Sequence, residues 1–127
     1  MRALVVDDSR AMRSIIRRHL DELGIGVDEA GSGAEALFVL NHIQTPDVIL
    51  LDWNMPEMNG LECLRRLRAD SATENLPVMM VTTESEMAQV ALALDAGANE
   101  YLMKPFDRQA LLEKLLLIGL DPGRQAA

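Results

Sequence analysis

Short apolar runs alternate along the chain with longer segments whose apolar residues recur at intervals of three and four. Such intervals are typical of amphipathic helices, whereas short apolar runs predict strands, of which the second is only half apolar. Five strand-then-helix units favour an α/β fold whose parallel sheet is covered by helices on both faces. The predicted strands are Ala3–Val6, Val27–Ala30, Val48–Leu51, Val78–Val81 and Tyr101–Met103.

The residues between these segments include the usual signals for helix ends. Ser9 and Asp107 are predicted to cap the first and last helices, because their side-chain oxygens can accept hydrogen bonds from the free amides of a first turn. Gly24, Gly97 and Gly119 stand where three helices are expected to end.

Length and composition narrow the class of protein. The 127 residues predict one domain at residues 1–120 and a short C-terminal tail at 121–127. With 12 basic and 20 acidic residues the net charge is −8, which argues against binding to nucleic acid or an anionic membrane. No apolar run approaches the roughly 20 residues of a membrane span. We therefore expect an acidic, cytoplasmic domain.

Polar residues follow four of the five predicted strands, and these strand ends meet at one edge of a parallel sheet. Clustered carboxylates repel one another unless a cation lies among them, and Mg²⁺ (or Mn²⁺) prefers oxygen ligands. An aspartate can also act as a nucleophile and form an aspartyl phosphate. The pattern predicts a metal-assisted phosphoryl site, built from Asp7, Asp8, Asp52, Thr82 and Lys104.

The motifs at these strand ends resemble the receiver domain of two-component response regulators, and the resemblance extends from Leu4 to Ile118. It implies a doubly wound, five-stranded parallel sheet in the order 2-1-3-4-5 with five helices, the flavodoxin-like and CheY-like fold. The motifs that carry it are residues 4–9, 51–56 with Gly60, 81–84 and 101–106.

The resemblance also implies a role for each residue at the site. Asp52 would be the phosphoacceptor that attacks the phosphohistidine of a histidine kinase or of a histidine phosphotransfer domain. Asp7, Asp8 and Asp52 would hold Mg²⁺ together with the backbone carbonyl of Asn54. Lys104 would pair with the phosphoryl oxygens, and its peptide bond to the following proline would be cis.

The same resemblance implies a switch. The Thr82 hydroxyl would move toward the phosphoryl group, and the Tyr101 ring would move inward with it. Asn54 and Glu84 would flank the water that removes the phosphoryl group. The chain would catalyse only its own phosphorylation and dephosphorylation and would not be an enzyme for another substrate. The switch would bias a face formed by helix 4, strand 5 and helix 5 between two arrangements.

Residues 53–56, Glu84 and Tyr101 are similar to the chemotaxis subgroup, which implies a downstream target protein on that face. The chain would be a monomer or a phosphorylation-dependent dimer. Aligned on the family, the helix 4 alanines Ala88, Ala91 and Ala96 are expected to pack toward the sheet. The expected partner face is Met87, Val90, Leu94 and Tyr101.

Three alternatives stay open. Glu86 and Met87 stand where flagellar-switch binders tend to carry lysines, which leaves room for a phosphorelay receiver unconnected to the motor. Residues 31–36 fit the G-x-G-x-x-A pattern of a dinucleotide-binding enzyme. A haloacid-dehalogenase-type phosphatase would need a second acid at the position of Asn54.

Overall fold

A computed structural model describes residues 1–124, apart from the side chains of Glu84 and Arg124. Five parallel strands form one sheet in the order β2-β1-β3-β4-β5, which confirms the predicted fold class and strand order. Each strand lies within one residue of its predicted bounds at either end. The strands are β1 Arg2–Val6, β2 Gly26–Ala30, β3 Val48–Asp52, β4 Val78–Thr82 and β5 Glu100–Met103.

The two predicted caps and the three predicted glycines all lie at helix ends. The Ser9 hydroxyl accepts from the Met12 amide at 3.2 Å, and Asp107 Oδ1 accepts from the Ala110 amide at 2.8 Å. The three predicted glycines follow helix ends with positive φ, a conformation in which a side chain would be strained. The helices are α1 Arg10–Glu22, α2 Gly33–Leu40, α3 Gly60–Ala69, α4 Val90–Asp95 and α5 Arg108–Leu117, with 3₁₀ segments at Glu84–Gln89 and Pro122–Arg124.

The sheet is buried on both faces because its residues point alternately to two helical layers. Leu4 and Val6 of β1 pack with α2, α3 and α4, whereas Ala3 and Val5 pack with α1 and α5. Every residue of β3 and β4 is buried. In these two central strands the only polar residues, Asp52 and Thr82, are the last residues of each strand. Among residues 1–124, no helix is long and apolar enough to cross a membrane.

The segment predicted as helix 4 differs from expectation. Its first half is the 3₁₀ segment, and α4 begins only at Val90. Ala88 and Ala91 are exposed, so the prediction that they pack toward the sheet is wrong, although Ala96 does pack against the core. Ala88 lies in the 3₁₀ segment, which completes a turn in three residues, so the faces expected of an uninterrupted α-helix are shifted there and onward into α4, where Ala91 lies.

The apolar residues of this stretch that are shielded from solvent recur at every third position, at Met87, Val90 and Ala93. Met87 and Val90 are half-buried, and Ala93 is fully buried. Of the expected partner face on this segment, Leu94 is the well-exposed residue at 44%, and Leu92 beside it is 52% exposed. The apolar surface that this segment offers to solvent is thus shifted toward its C-terminal end.

The start of α3 packs so closely against the end of β3 that only glycine fits there. A Cβ at Gly60 would collide with the backbone carbonyl of Asp52 and lie 3.0 Å from Trp53 Cα. We expect Gly60→Ala to lower the free energy of unfolding by about 1 to 3 kcal/mol, although alanine normally favours a helix. Urea unfolding followed by circular dichroism measures this loss.

Gly33 is a matched control, since it is the first residue of α2 just as Gly60 is the first residue of α3. The nearest atom to a Cβ there would be the sulfur of Met58, whose flexible side chain can move away. Gly33→Ala should therefore lose about 1 kcal/mol or less. Equal losses in the two variants would contradict the close approach at Gly60.

Candidate functional site

Three carboxylates converge at the C-terminal edge of the sheet. Asp52 is the last residue of β3, and Asp7 follows β1, the strand that pairs directly with β3. Asp7 and Asp52 are buried, whereas Asp8 is exposed. One carboxylate oxygen from each of the three lies within 4.8 Å of the others. The strand order thus brings together acids that lie up to 45 positions apart in the sequence.

Lys104 lies against this cluster from the far side of β4. Its ammonium donates to Asp52 Oδ1 at 2.9 Å and to Asp7 Oδ2 at 3.2 Å. Its backbone amide donates to the Thr82 carbonyl at 2.6 Å, and its peptide bond to Pro105 is cis. The second oxygen of Asp7, Oδ1, accepts from the Ser9 amide at 2.8 Å. Lys104 therefore bridges the carboxylates of two different strand ends.

The electrostatics of the site leave Asp52 short of positive charge. Burial raises the pKa of Asp52 to about 6, although the hydrogen bond from Lys104 opposes the rise, and the nearby charges of Asp7 and Asp8 add to it. Burial alone would lower the pKa of Lys104, but its hydrogen bonds with Asp52 and Asp7 and their charges raise it. One ammonium thus faces three carboxylates. This excess of negative charge favours the binding of a further cation.

The donor set of this cluster suits a divalent cation with a preference for oxygen. Mg²⁺ typically binds one or two carboxylates and keeps several waters, which requires a site that is open on one side. Asp8 is exposed, so the cluster has an open side, while Asp7 and Asp52 are fixed from within the fold. The residues present therefore fit Mg²⁺, with Lys104 as the alternative partner of the same carboxylates.

Thr82 ends β4, where its side chain is buried beside the neighbouring loop. Its hydroxyl donates to Glu86 Oε1 and lies equally far from the Thr83 carbonyl, at 3.3 Å in both cases. The same Glu86 oxygen accepts from the Thr83 amide at 2.9 Å. From the sequence, Glu86 was only a departure from a family pattern, and its hydrogen bond with the Thr82 hydroxyl was not predicted. Thr83 and Glu86 are three residues apart and match the capping-box pattern, which could have indicated the hydrogen bond between Glu86 and the Thr83 amide.

The remaining predicted site residues lie around this edge. Tyr101 is half-buried in β5, and the Lys114 ammonium lies 4.0 Å from the centre of its ring. Asn54 follows two residues after Asp52, with its side chain exposed. The predicted role of Glu84 falls on a side chain that lies outside the described part of the structure.

The basic side of α1 is partly neutralised within the fold. Arg13 and Arg17 both bind Glu29 of β2, at 3.0 and 2.7 Å. Burial would raise the pKa of Glu29, but the hydrogen bonds and charges of these two arginines lower it. Arg10 and Arg18 are exposed. Half of this basic surface is therefore committed to holding α1 against an edge strand.

The glycine-containing loop at residues 31–36 does not have the surroundings that a pyrophosphate needs. It follows β2, an edge strand, and the Gly31 amide donates to the Glu35 carboxylate at 3.2 Å. Dinucleotide-binding loops present free amides at a helix N-terminus, where a carboxylate would repel the phosphates. The geometry therefore does not favour the dinucleotide interpretation.

Comparisons with known proteins agree with this arrangement. Residues 3–116 match the family model described as "Response regulator receiver domain". The chain is 48% identical over 129 aligned positions to the chemotaxis protein CheY homolog of Campylobacter jejuni, covering 100% of this chain and 99% of the relative. It is 47% identical over 119 positions to the chemotaxis protein CheY1 of Helicobacter pylori, covering 93% of this chain and 96% of the relative.

Solved structures show the same similarity. The structure of chemotaxis protein CheY4 from Vibrio cholerae has a TM-score of 0.84 at 34% identity, with 92% of this chain and 97% of that chain covered. A putative response regulator from Chloroflexus aurantiacus has a TM-score of 0.84 at 30% identity, with 92% and 96% covered. In both comparisons the likeness covers more than nine tenths of this chain.

The raised pKa of Asp52 predicts a specific effect on stability in metal-free buffer. Between about pH 4 and about pH 6, the folded state keeps a proton that the unfolded state has lost, so stability falls as the pH rises. Asp52→Asn removes this titration. We expect the variant to match the wild type below about pH 4 and to exceed it by about 1 to 3 kcal/mol above about pH 6.

Urea unfolding of both proteins at a series of pH values, with a chelator present, measures this difference. Subtracting the wild-type curve cancels the titration of acids far from the site, such as Glu29. A difference between the two proteins that stays constant from pH 4 to pH 7 would show that burial does not perturb Asp52.

Proposed function

Because the chain belongs to the response regulator receiver domain family, we propose that it carries a chemotaxis signal by accepting a phosphoryl group on Asp52. The observation that carries the proposal is the convergence of Asp7, Asp8 and Lys104 on Asp52 at the carboxyl edge of the sheet. The family is one of signalling domains, and its chemotaxis-type members interact with histidine kinases and with downstream targets. The curated relatives at 47–48% identity carry chemotaxis names, which supports this kind of signal.

The proposed reaction is an in-line displacement at phosphorus. A carboxylate oxygen of Asp52 attacks the phosphoryl group of a phosphohistidine on the kinase or phosphotransfer domain, and the bond from phosphorus to the imidazole nitrogen breaks. The ammonium of Lys104 already lies 2.9 Å from Asp52 Oδ1, where it can pair with an oxygen of the incoming group.

Asp7, Asp8 and Asp52 would hold Mg²⁺ together with the backbone carbonyl of Asn54. When bound, Mg²⁺ neutralises the charge of the phosphoryl oxygens during the transfer. Asp52 must be ionised to attack, and its raised pKa makes this ionisation depend on the positive charge placed beside it. Removal of the phosphoryl group by water would be tuned by Asn54 and Glu84.

The phosphorylated Asp52 would then act on the switch. A phosphoryl group carries about −1.5 to −2 charges and three strong acceptor oxygens, which attract Lys104 and the Thr82 hydroxyl. Thr82 ends β4, and Tyr101 lies on the neighbouring β5, so a shift of one can be transmitted to the other. The output surface would be Met87, Val90, Leu94 and Tyr101, of which Leu94 is well exposed and the other three are half-buried, and the target protein would dock there.

A beryllofluoride mimic of the phosphoryl group tests the site directly. Trp53 is buried next to Asp52, so we expect its fluorescence to be quenched by Mg²⁺ and to report binding of the mimic. Binding should require Mg²⁺ and should be saturable in the wild type, and Asp52→Asn should abolish it. The surface variant Asp21→Asn is the control and should bind as the wild type does. Intact binding to the Asp52→Asn variant would refute the assigned phosphoacceptor.

Swimming behaviour in the source organism tests the chemotaxis assignment. Cells whose only copy carries Asp52→Asn should lose directed migration in soft agar while remaining motile, because the switch can no longer be phosphorylated. The Asp21→Asn cells should migrate normally. If Asp52→Asn cells keep full chemotaxis, the alternative of a phosphorelay receiver unconnected to the motor is favoured.

A further inference from the structure

Glu86 makes two hydrogen bonds from one oxygen at the point where β4 ends. Its Oε1 accepts from the Thr83 amide at 2.9 Å and from the Thr82 hydroxyl at 3.3 Å. Thr82 is only 1% exposed, and Glu86 is half-buried beside it. A carboxylate therefore holds the side chain on which the proposed switch depends.

The chemistry of a hydroxyl makes this contact a competition. Thr82 has one hydroxyl proton and can donate it fully to one acceptor at a time. Here the Glu86 carboxylate and the neutral Thr83 carbonyl lie at the same distance of 3.3 Å. Hydrogen bonds to an ionised acceptor are the stronger kind, so Glu86 is the main competitor of any acceptor on Asp52.

We infer that Glu86 is a positioning residue that holds Thr82 in the unphosphorylated arrangement and thereby sets how readily the switch responds. The inference rests on the proposed function, since it presumes that Thr82 moves toward a phosphoryl group on Asp52. A carboxylate that stabilises only the resting arrangement lowers the population of the other one. It therefore weakens the apparent affinity for a ligand that needs the switched arrangement.

Glu86 also has a structural role that the test must separate from this one. Its hydrogen bond with the Thr83 amide caps the 3₁₀ segment, so Glu86→Ala removes the cap and the competitor together. Glu86→Gln keeps an amide oxygen that can accept from Thr83 but removes the charge. Ser85→Ala is a matched control in the same turn, because the described contact of Ser85 is with the Thr83 hydroxyl at 2.9 Å.

The experiment is a titration with beryllofluoride at saturating Mg²⁺, followed by Trp53 fluorescence. We expect Glu86→Ala to tighten binding by about 3-fold to 10-fold, the effect of losing one modest hydrogen bond in the resting state. Glu86→Gln should tighten it by about 2-fold to 5-fold, because the acceptor remains but is uncharged. Ser85→Ala should bind as the wild type does.

A thermodynamic cycle with Thr82→Val distinguishes competition from a general loosening of the turn. Without the Thr82 hydroxyl, Glu86→Ala should no longer change the affinity, because there is no proton to compete for. A second readout needs neither metal nor mimic. The Thr83 amide proton should keep its hydrogen-bonded chemical shift in Glu86→Gln and lose it in Glu86→Ala.

The outcomes separate this inference from the proposed function. Wild-type affinity in both Glu86 variants, or an equal effect of Glu86→Ala with and without the Thr82 hydroxyl, would overturn the role of Glu86 and leave the phosphoacceptor intact. Absence of Mg²⁺-dependent binding in the wild type would instead overturn the proposed function itself.

Discussion

The acidic site at the C-terminal edge of the sheet depends on the ion pairs of Lys104 with Asp52 and Asp7. Two buried carboxylates on neighbouring strand ends would repel each other, and burial favours the protonated form of Asp52. Lys104 reduces this repulsion but does not remove it, since the pKa of Asp52 still rises to about 6. The C-terminal edge of the sheet therefore remains short of positive charge. A site in that condition suits a divalent cation and the transfer of an anionic group.

The rest of the fold places these groups where they can meet. All residues of β3 and β4 are buried, so Asp52 and Thr82 are the first positions along those strands at which polar chemistry can begin. The strand order places β1 directly beside β3, whereas β4 lies between β3 and β5. A long side chain is needed to cross that strand, and Lys104 provides it. Gly60 allows α3 to start against the end of β3, which fixes the backbone on the other side of Asp52.

The strands and the residues at their ends were predictable from the sequence, because they follow from short apolar runs. The exposed face of the fourth helical segment and the contacts between separate elements were not. Apolar runs set the strands, and their ends identified the acids that converge. Ala88 and Ala91 are exposed instead of buried because a 3₁₀ segment precedes α4 and shifts the faces that an uninterrupted α-helix would present. The pairing of Arg13 and Arg17 with Glu29 joins distant parts of the chain, and single-sequence patterns carry no signal for it. Glu86 lay between these cases, since the capping pattern indicates its bond with the Thr83 amide, whereas its bond with the Thr82 hydroxyl depends on how the turn folds.

The location of that bond has a physical logic of its own. Thr82 closes a fully buried strand, whereas Glu86 belongs to a 3₁₀ segment, whose hydrogen bonds have poorer geometry than those of an α-helix. The buried strand β4 and the less regularly hydrogen-bonded 3₁₀ segment thus meet between Thr82 and Glu86. The Thr82 hydroxyl and the Thr83 amide share Glu86 Oε1, so a displacement of the hydroxyl would act on the same oxygen that caps the following segment. That segment leads directly into α4 and its exposed Leu92 and Leu94. If Asp52 accepts a phosphoryl group as proposed, the added charge would reach this apolar surface through Thr82 and the 3₁₀ segment, and the sheet itself would not need to rearrange.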